Sequence, residues 1–147
     1  MDLAIISIGQ LKNNPLKVLI NNAAIQILGN VENLSYSDWR TTLDINLLAP
    51  FFWIKMLLPQ LESSNGCVVN IGSIHARLTK KDFVAYAASK AALAAMTRAM
   101  AVELGTRIRI NAIEPAAIET SMLRASFKEK PECYRQLKDC HPQHRIG

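Results

Sequence analysis

Tyr86-Ala87-Ala88-Ser89-Lys90 sets a phenol and an ammonium four residues apart, and Ser73 stands 13 residues before the tyrosine. On a helix, a Tyr and a Lys at that spacing project from one face, so the ammonium lies beside the phenol. A free phenol has a pKa near ~10, too high for a base at neutral pH. A fixed cation beside it favours the phenolate and is expected to lower that value. A hydroxyl aimed at the same point holds a substrate oxygen while the tyrosine moves its proton. Such a set of groups suits the interconversion of an alcohol and a carbonyl.

The elements that must position these groups follow from hydrophobic pattern. Lys17-Val18-Leu19-Ile20-Asn21 is a short run of β-formers whose apolar residues do not alternate with polar ones, as expected of a strand buried on both faces of a parallel sheet. Ser35 opens a helix with Asp38 three residues on, a capping-box pair in which aspartate replaces the usual Glu or Gln. Apolar residues then continue at helical spacing to Leu61, with a bend expected at Pro50. Residues 66–72 read as a second buried strand with Ser73 at its carboxyl end, and 107–113 as a third, ended by Pro115. Between them Asp82 is expected to cap a long helix over 83–104, closed by Gly105. Its Ala- and Met-rich circumference predicts burial on more than one side. A loose apolar pattern suggests a further helix over 2–13, and short helices and loops follow Glu119.

Strand and helix alternate, which indicates an α/β parallel sheet with right-handed crossovers. Ligands in such sheets bind at the carboxyl ends of the strands. Asn21 to Ala24, Ser73, and Pro115 to Thr120 all follow those ends.

Composition bounds the alternatives. The chain has 147 residues, half hydrophobic and a fifth charged, within the range of one domain with a real core. No segment reads as the ~20 apolar residues of a membrane span, and no secretory leader is apparent, so no membrane partner and a cytoplasmic setting are expected. The net charge of +5 is spread along the chain without an aromatic platform, which argues against a nucleic-acid partner. Three scattered cysteines form no disulfide framework. Cys133, Cys140, His141 and His144 match no common zinc spacing, so no metal is expected.

With these motifs in order, the chain resembles the short-chain dehydrogenase/reductase family from about Val18 to Gly147. Asn21-Asn22-Ala23-Ala24 is similar to its Asn-Asn-Ala-Gly motif, and Leu43-Asp44-Ile45-Asn46-Leu47 to the segment with its catalytic asparagine. Ile71-Gly72-Ser73 matches its serine, and Tyr86 with Lys90 its Tyr-x-x-x-Lys. The segment from Asn111 to Thr120 resembles the one that reaches the nicotinamide, and His141 to Gly147 a run before the family's last helix.

The resemblance implies a catalytic set of Asn46, Ser73, Tyr86 and Lys90. Tyr86 would be the general acid/base, Lys90 would tune it and bond the nicotinamide ribose, Ser73 would hold the substrate oxygen, and Asn46 would hold a water in a proton relay. NAD or NADP would meet Asn21, Ala23, Tyr86, Lys90, Pro115, Ile118 and Thr120. A small-molecule alcohol or carbonyl substrate is implied. Met122, Leu123 and Phe127 read either as an apolar pocket wall or as ordinary helix-packing residues, and His75 reads as a surface-loop histidine first and as a residue facing substrate second. A homo-oligomer built on the two long helices is implied too.

Ala24 and Ala116 stand where the family has glycine, and the change at Ala116 is expected to crowd the nicotinamide end. None of the six glycines clusters into a phosphate-binding turn. The expected fold is therefore a partial Rossmann-like, doubly wound parallel sheet of about three strands with flanking helices, truncated at both ends, over a single domain of residues 1–147. Two functions are expected of it: nicotinamide-dependent oxidoreductase or, alternatively, a non-catalytic remnant that folds by oligomerisation and cannot bind cofactor on its own.

Overall fold

Each of the three runs of β-formers becomes a strand: β1 is Val18–Asn21, β2 Cys67–Ile71 and β3 Arg109–Ile113. In the computed structural model, which describes residues 14–128 and 131–147, they pair in the order β1-β2-β3, all parallel. The helix expected over 2–13 lies outside the described residues. The register sets Asn21 opposite Asn70 and Ile71 opposite Ile113, so the carboxyl ends of all three strands lie along one edge of the sheet. Parallel neighbours need long crossovers, and helices supply them here. The result is a partial Rossmann-like sheet with flanking helices.

The first crossover carries α1 (Tyr36–Leu43), a π-helical turn (Asp44–Leu48) and α2 (Ala49–Ser63). The capping box forms as expected. Ser35 Oγ accepts from the Asp38 N–H at 3.1 Å, and the Asp38 carboxylate accepts from the Ser35 N–H at 2.9 Å. The bend begins before Pro50, at the π turn, where the Ala49 N–H reaches back five residues to the Asp44 carbonyl. Pro50 has no N–H, so the carbonyl four residues back, that of Asn46, lacks its α-helical donor.

The run Tyr36–Ser63 amends one expectation: its 28 residues are long and apolar enough, by length and composition, to cross a membrane. In this fold its Ile54, Leu57 and Leu61 enter the core. Gly66, between α2 and β2, has no room for a side chain. A Cβ there would lie 2.5 Å from the Leu16 carbonyl oxygen.

The second crossover is α3, Val84–Leu104. Asp82 does not cap it. Its backbone takes φ of 67°, Phe83 occupies the cap position without a side-chain bond, and the Asp82 carbonyl accepts from the Gly29 N–H at 2.9 Å. That bond ties the start of α3 to the loop after β1. Gly105 is also not the expected left-handed terminator: its φ is −59°. Glycine is needed for space, since a Cβ would sit 2.6 Å from the Ala101 carbonyl oxygen.

The core joins Ile54, Leu57 and Leu61 of α2 to Val68, Ile108 and Ile110 of the sheet region and Met100 and Leu104 of α3. Burial of α3 on several sides is not found within this chain. One stripe, running through Ala85, Leu93 and Leu104, is buried, while Val102 is 88% exposed. Nor is β1 covered on both faces. Val18 and Ile20, alternate residues on one face of β1, are 47% and 58% exposed, and among the described residues no strand pairs with its outer edge.

The chain divides into two compact units, the first ending at Glu114 and the second comprising Pro115–Gly147. In the second, α4 (Ser121–Ser126) starts from Thr120, whose hydroxyl accepts from the Leu123 N–H at 3.2 Å, and α5 (Pro131–Asp139) follows. Glu119 accepts from Arg124 at 2.7 Å and from the Tyr134 hydroxyl. The Phe127 and Tyr134 rings meet edge-on at 5.8 Å, which commits Phe127 to packing within this unit.

Candidate active site

Ser73 lies two residues beyond β2 and caps a 3-10 turn, Ile74–Ala76, its Oγ accepting from the His75 N–H at 3.2 Å. Tyr86 is in the first turn of α3 and Lys90 one turn later, both on the buried stripe as their spacing predicts. The α3 stripe packs on the sheet at the carboxyl end of β2. There the Lys90 Nζ donates to the carbonyl of Ile71 at 2.8 Å and lies 5.8 Å from the Tyr86 ring centroid. An ammonium has three donors, and this bond uses one.

Burial sets the protonation states. Lys90, 2% exposed, is lowered by desolvation to about 8. Tyr86 moves the other way from the sequence expectation. Burial raises its phenol above the ordinary value, and hydrogen bonding with the Ser73 hydroxyl opposes that without reversing it. The physical reason is that the ammonium is drawn to the Ile71 carbonyl, while the phenol sits against the Phe83 ring at 5.8 Å. At neutral pH the pair is a protonated phenol beside a mostly charged ammonium.

Asn46 is 1% exposed and holds the site together. Its Oδ1 accepts from the Ile25 N–H at 2.8 Å, and its Nδ2 donates to the Ile25 carbonyl at 2.9 Å and to Ser89 Oγ at 3.0 Å. Ser89 in turn donates to the Tyr86 carbonyl at 2.7 Å. Asn46 therefore clamps the loop after β1 to the turn of α3 that bears Tyr86. Both Nδ2 hydrogens are committed, so the Asn46 side chain has no donor left for a water.

Asn21 is fixed by a second buried chain. Its Nδ2 donates to Asn70 Oδ1 at 2.8 Å, Asn70 Nδ2 donates to Thr97 Oγ1 at 2.9 Å, and Thr97 Oγ1 donates to the Leu93 carbonyl at 2.7 Å. Sequence reasoning missed Asn70, Ser89 and Thr97, all buried. One signal was available: Asn70 is a polar residue inside an apolar strand, where a side-chain partner is obligatory.

The structure thus brings Asn46, Ser73, Tyr86 and Lys90 into one connected region, with Asn21 anchored to the same helix. Ala23 is exposed just past β1. Pro115, Ile118 and Thr120 belong to the second unit, where the Thr120 hydroxyl caps α4 and Ile118 is 46% exposed. Neither Ala24 nor Ala116 takes a positive φ, so an L-residue is unstrained at both.

Known proteins resemble this chain in sequence and in fold. A trans-4-hydroxycyclohexanecarboxylate dehydrogenase of Sinomonas cyclohexanicum is 35% identical over 120 residues, covering 79% of this chain and 46% of that protein. The ligand-free aldohexose dehydrogenase of Thermoplasma acidophilum superposes with a TM-score of 0.89 at 29% identity, over 99% of this chain and 60% of that one. A 4-hydroxyisoleucine dehydrogenase mutant complexed with NADH and succinate gives a TM-score of 0.77 at 33% identity, over 88% of this chain and 54% of that one. The chain spans about half the length of the curated relatives it matches. Residues 7–131 match the short chain dehydrogenase family, and with its serine, tyrosine and lysine gathered at the end of β2 the chain belongs to that family.

Proposed function

We propose that this site interconverts a small-molecule alcohol and its carbonyl compound with NAD or NADP. The observation that carries the reading is the buried Lys90 ammonium, held by the Ile71 carbonyl one helical turn from the buried Tyr86 phenol, whose pKa the Ser73 hydroxyl lowers against its burial. Among the described residues one Lys90 donor has a protein acceptor, and a buried ammonium with donors to spare suits the hydroxyls of a nicotinamide ribose. Asn21, Ala23 and Tyr86 would border the same end. When bound, the cofactor would supply or accept the hydride.

The chain's own groups do the proton work. Ser73 holds and polarises the substrate oxygen, and Tyr86 exchanges a proton with it. The phenol is protonated at neutral pH, ready to give its proton to a carbonyl oxygen when the substrate is a ketone. Lys90 stabilises the phenolate that results. These assembled groups do not favour the alternative of a non-catalytic remnant.

Leu48, Phe52 and Met56, all more than two-fifths exposed, share one side of the helical run and support a homo-oligomer. Sedimentation showing a monomer at micromolar concentration would remove that part of the proposal.

Titration of the chain with NADH and NADPH, followed by nicotinamide fluorescence, tests the cofactor. Saturable binding that weakens in Lys90→Met is expected. No saturation at millimolar cofactor would sink the reading.

A further inference from the structure

His75 is built into the site in a way its packing does not require. Its backbone N–H donates to Ser73 Oγ, and its ring is pinned on three sides. The ring centroid lies 4.6 Å from that of Phe83 and 6.2 Å, edge-on, from that of Tyr86. Its Nδ1 lies 2.9 Å from the Leu78 carbonyl oxygen. A carbonyl can only accept, so Nδ1 carries the hydrogen and the neutral ring presents Nε2 as a bare lone pair. Desolvation above all, aided by the charge of Lys80, lowers the ring's pKa and favours the neutral form, while the Leu78 bond opposes this. Among the described residues Nε2 has no protein partner.

We propose that His75 sets the substrate class: its Nε2 accepts a hydrogen bond from a hydroxyl on the carbon next to the reacting one, so the site takes α-hydroxy ketones and vicinal diols. The inference rests on the reading that Tyr86 works on the substrate oxygen. A phenylalanine at position 75 would satisfy both ring contacts, and the Nδ1–H bond to Leu78 is enough to orient an imidazole. What remains unexplained by packing is an oriented acceptor, partly buried, beside the catalytic ring. Two hydrogen bonds of about 2.8 Å, one from Tyr86 and one to Nε2, can be bridged by the O–C–C–O fragment of such a substrate across neighbouring rings. A carboxylate in the same place would face the lone pair and be repelled. An alcohol or ketone without a second hydroxyl would forgo the bond to Nε2.

The test uses the full chain with 15N-labelled histidine and two probes, acetoin and 2-butanone, which differ by the one hydroxyl. The His75 Nε2 resonance is expected to move upfield on addition of acetoin and to stay in place with 2-butanone. His75→Phe should weaken acetoin binding about tenfold, more than it weakens 2-butanone, and His75→Gln, which restores an acceptor, should recover part of the loss. The glutamine variant also serves if the phenylalanine variant does not fold. An Nε2 signal unmoved by acetoin, or moved equally by both probes, overturns the proposal. Reduction assays separate it from the reading beneath it. A chain that reduces neither ketone yet keeps the acetoin-dependent shift contradicts the reaction but supports the role of His75. Equal preference for the two ketones in wild type and His75→Phe contradicts the role of His75 alone.

Discussion

Replacing Lys90 by methionine gives a stability effect whose size and pH window follow from burial. Methionine keeps the unbranched stem and removes the ammonium. Desolvation lowers the Lys90 pKa from 10.5 to about 8. The folded state therefore binds fewer protons than the unfolded chain between those values, and stability rises with pH across that window. Below about pH 8 the native protein bears the full cost of a buried charge, and above the unfolded value that cost is gone. The fall from 10.5 to about 8 corresponds to roughly 3 kcal/mol. Most of it, about 2–3 kcal/mol, is recovered between about pH 7 and 10. Urea unfolding of wild type and Lys90→Met, followed by far-UV circular dichroism across this range, isolates the term because other titrations are shared. The variant is expected to lead at neutral pH and to lose that advantage as pH rises. A difference that stays flat from neutral to alkaline pH, or widens in favour of the variant, would refute the reasoning about a desolvated lysine.

Other substitutions report on single links of the structure. Ser89→Ala leaves a buried Asn46 Nδ2 hydrogen without its acceptor and should cost about 1–3 kcal/mol in denaturant unfolding; an unchanged midpoint would mean that Asn46 repacks. Leu61→Ala empties a fully buried site between α2 and β2, with an expected loss of about 2–5 kcal/mol by thermal unfolding. Ser35→Ala removes the capping box of α1 and should cost about 1 kcal/mol, with the far-UV spectrum retained. A loss of helix content throughout the run to Ser63 would show that the cap nucleates more than its own turn.

Periodicity and residue type made much of this molecule legible. Residues such as Val68 and Ile110 can only be buried strand, and the four-residue spacing of Tyr86 and Lys90 is geometry that any helix enforces. The capping box at Ser35 is local chemistry and appeared as written. Features that depend on neighbours were less legible. Asp82 has the residue type of a cap, but the Gly29 N–H claims its carbonyl and turns its backbone left-handed. Gly105 has the type of a left-handed terminator, yet the Ala101 carbonyl needs its empty space. The Tyr86 phenol was expected to be lowered by a cation four residues on. Its desolvation, which spacing does not reveal, outweighs that effect. Ser89 and Thr97 stand in an alanine-rich helix with no pattern to mark them, and their roles emerge once Asn46 and Asn70 arrive from distant parts of the chain.

The central claim is that Tyr86 moves the proton when a carbonyl is reduced. Loss of reduced nicotinamide with acetoin as substrate, compared between wild type and Tyr86→Phe, tests it most directly. The variant keeps the ring packed against Phe83 and His75 and lacks the hydroxyl. Turnover in the wild type, falling by about 10²–10⁴-fold in Tyr86→Phe, is the predicted result. Equal turnover by the two proteins, or none by a wild type shown to hold the cofactor, would contradict it.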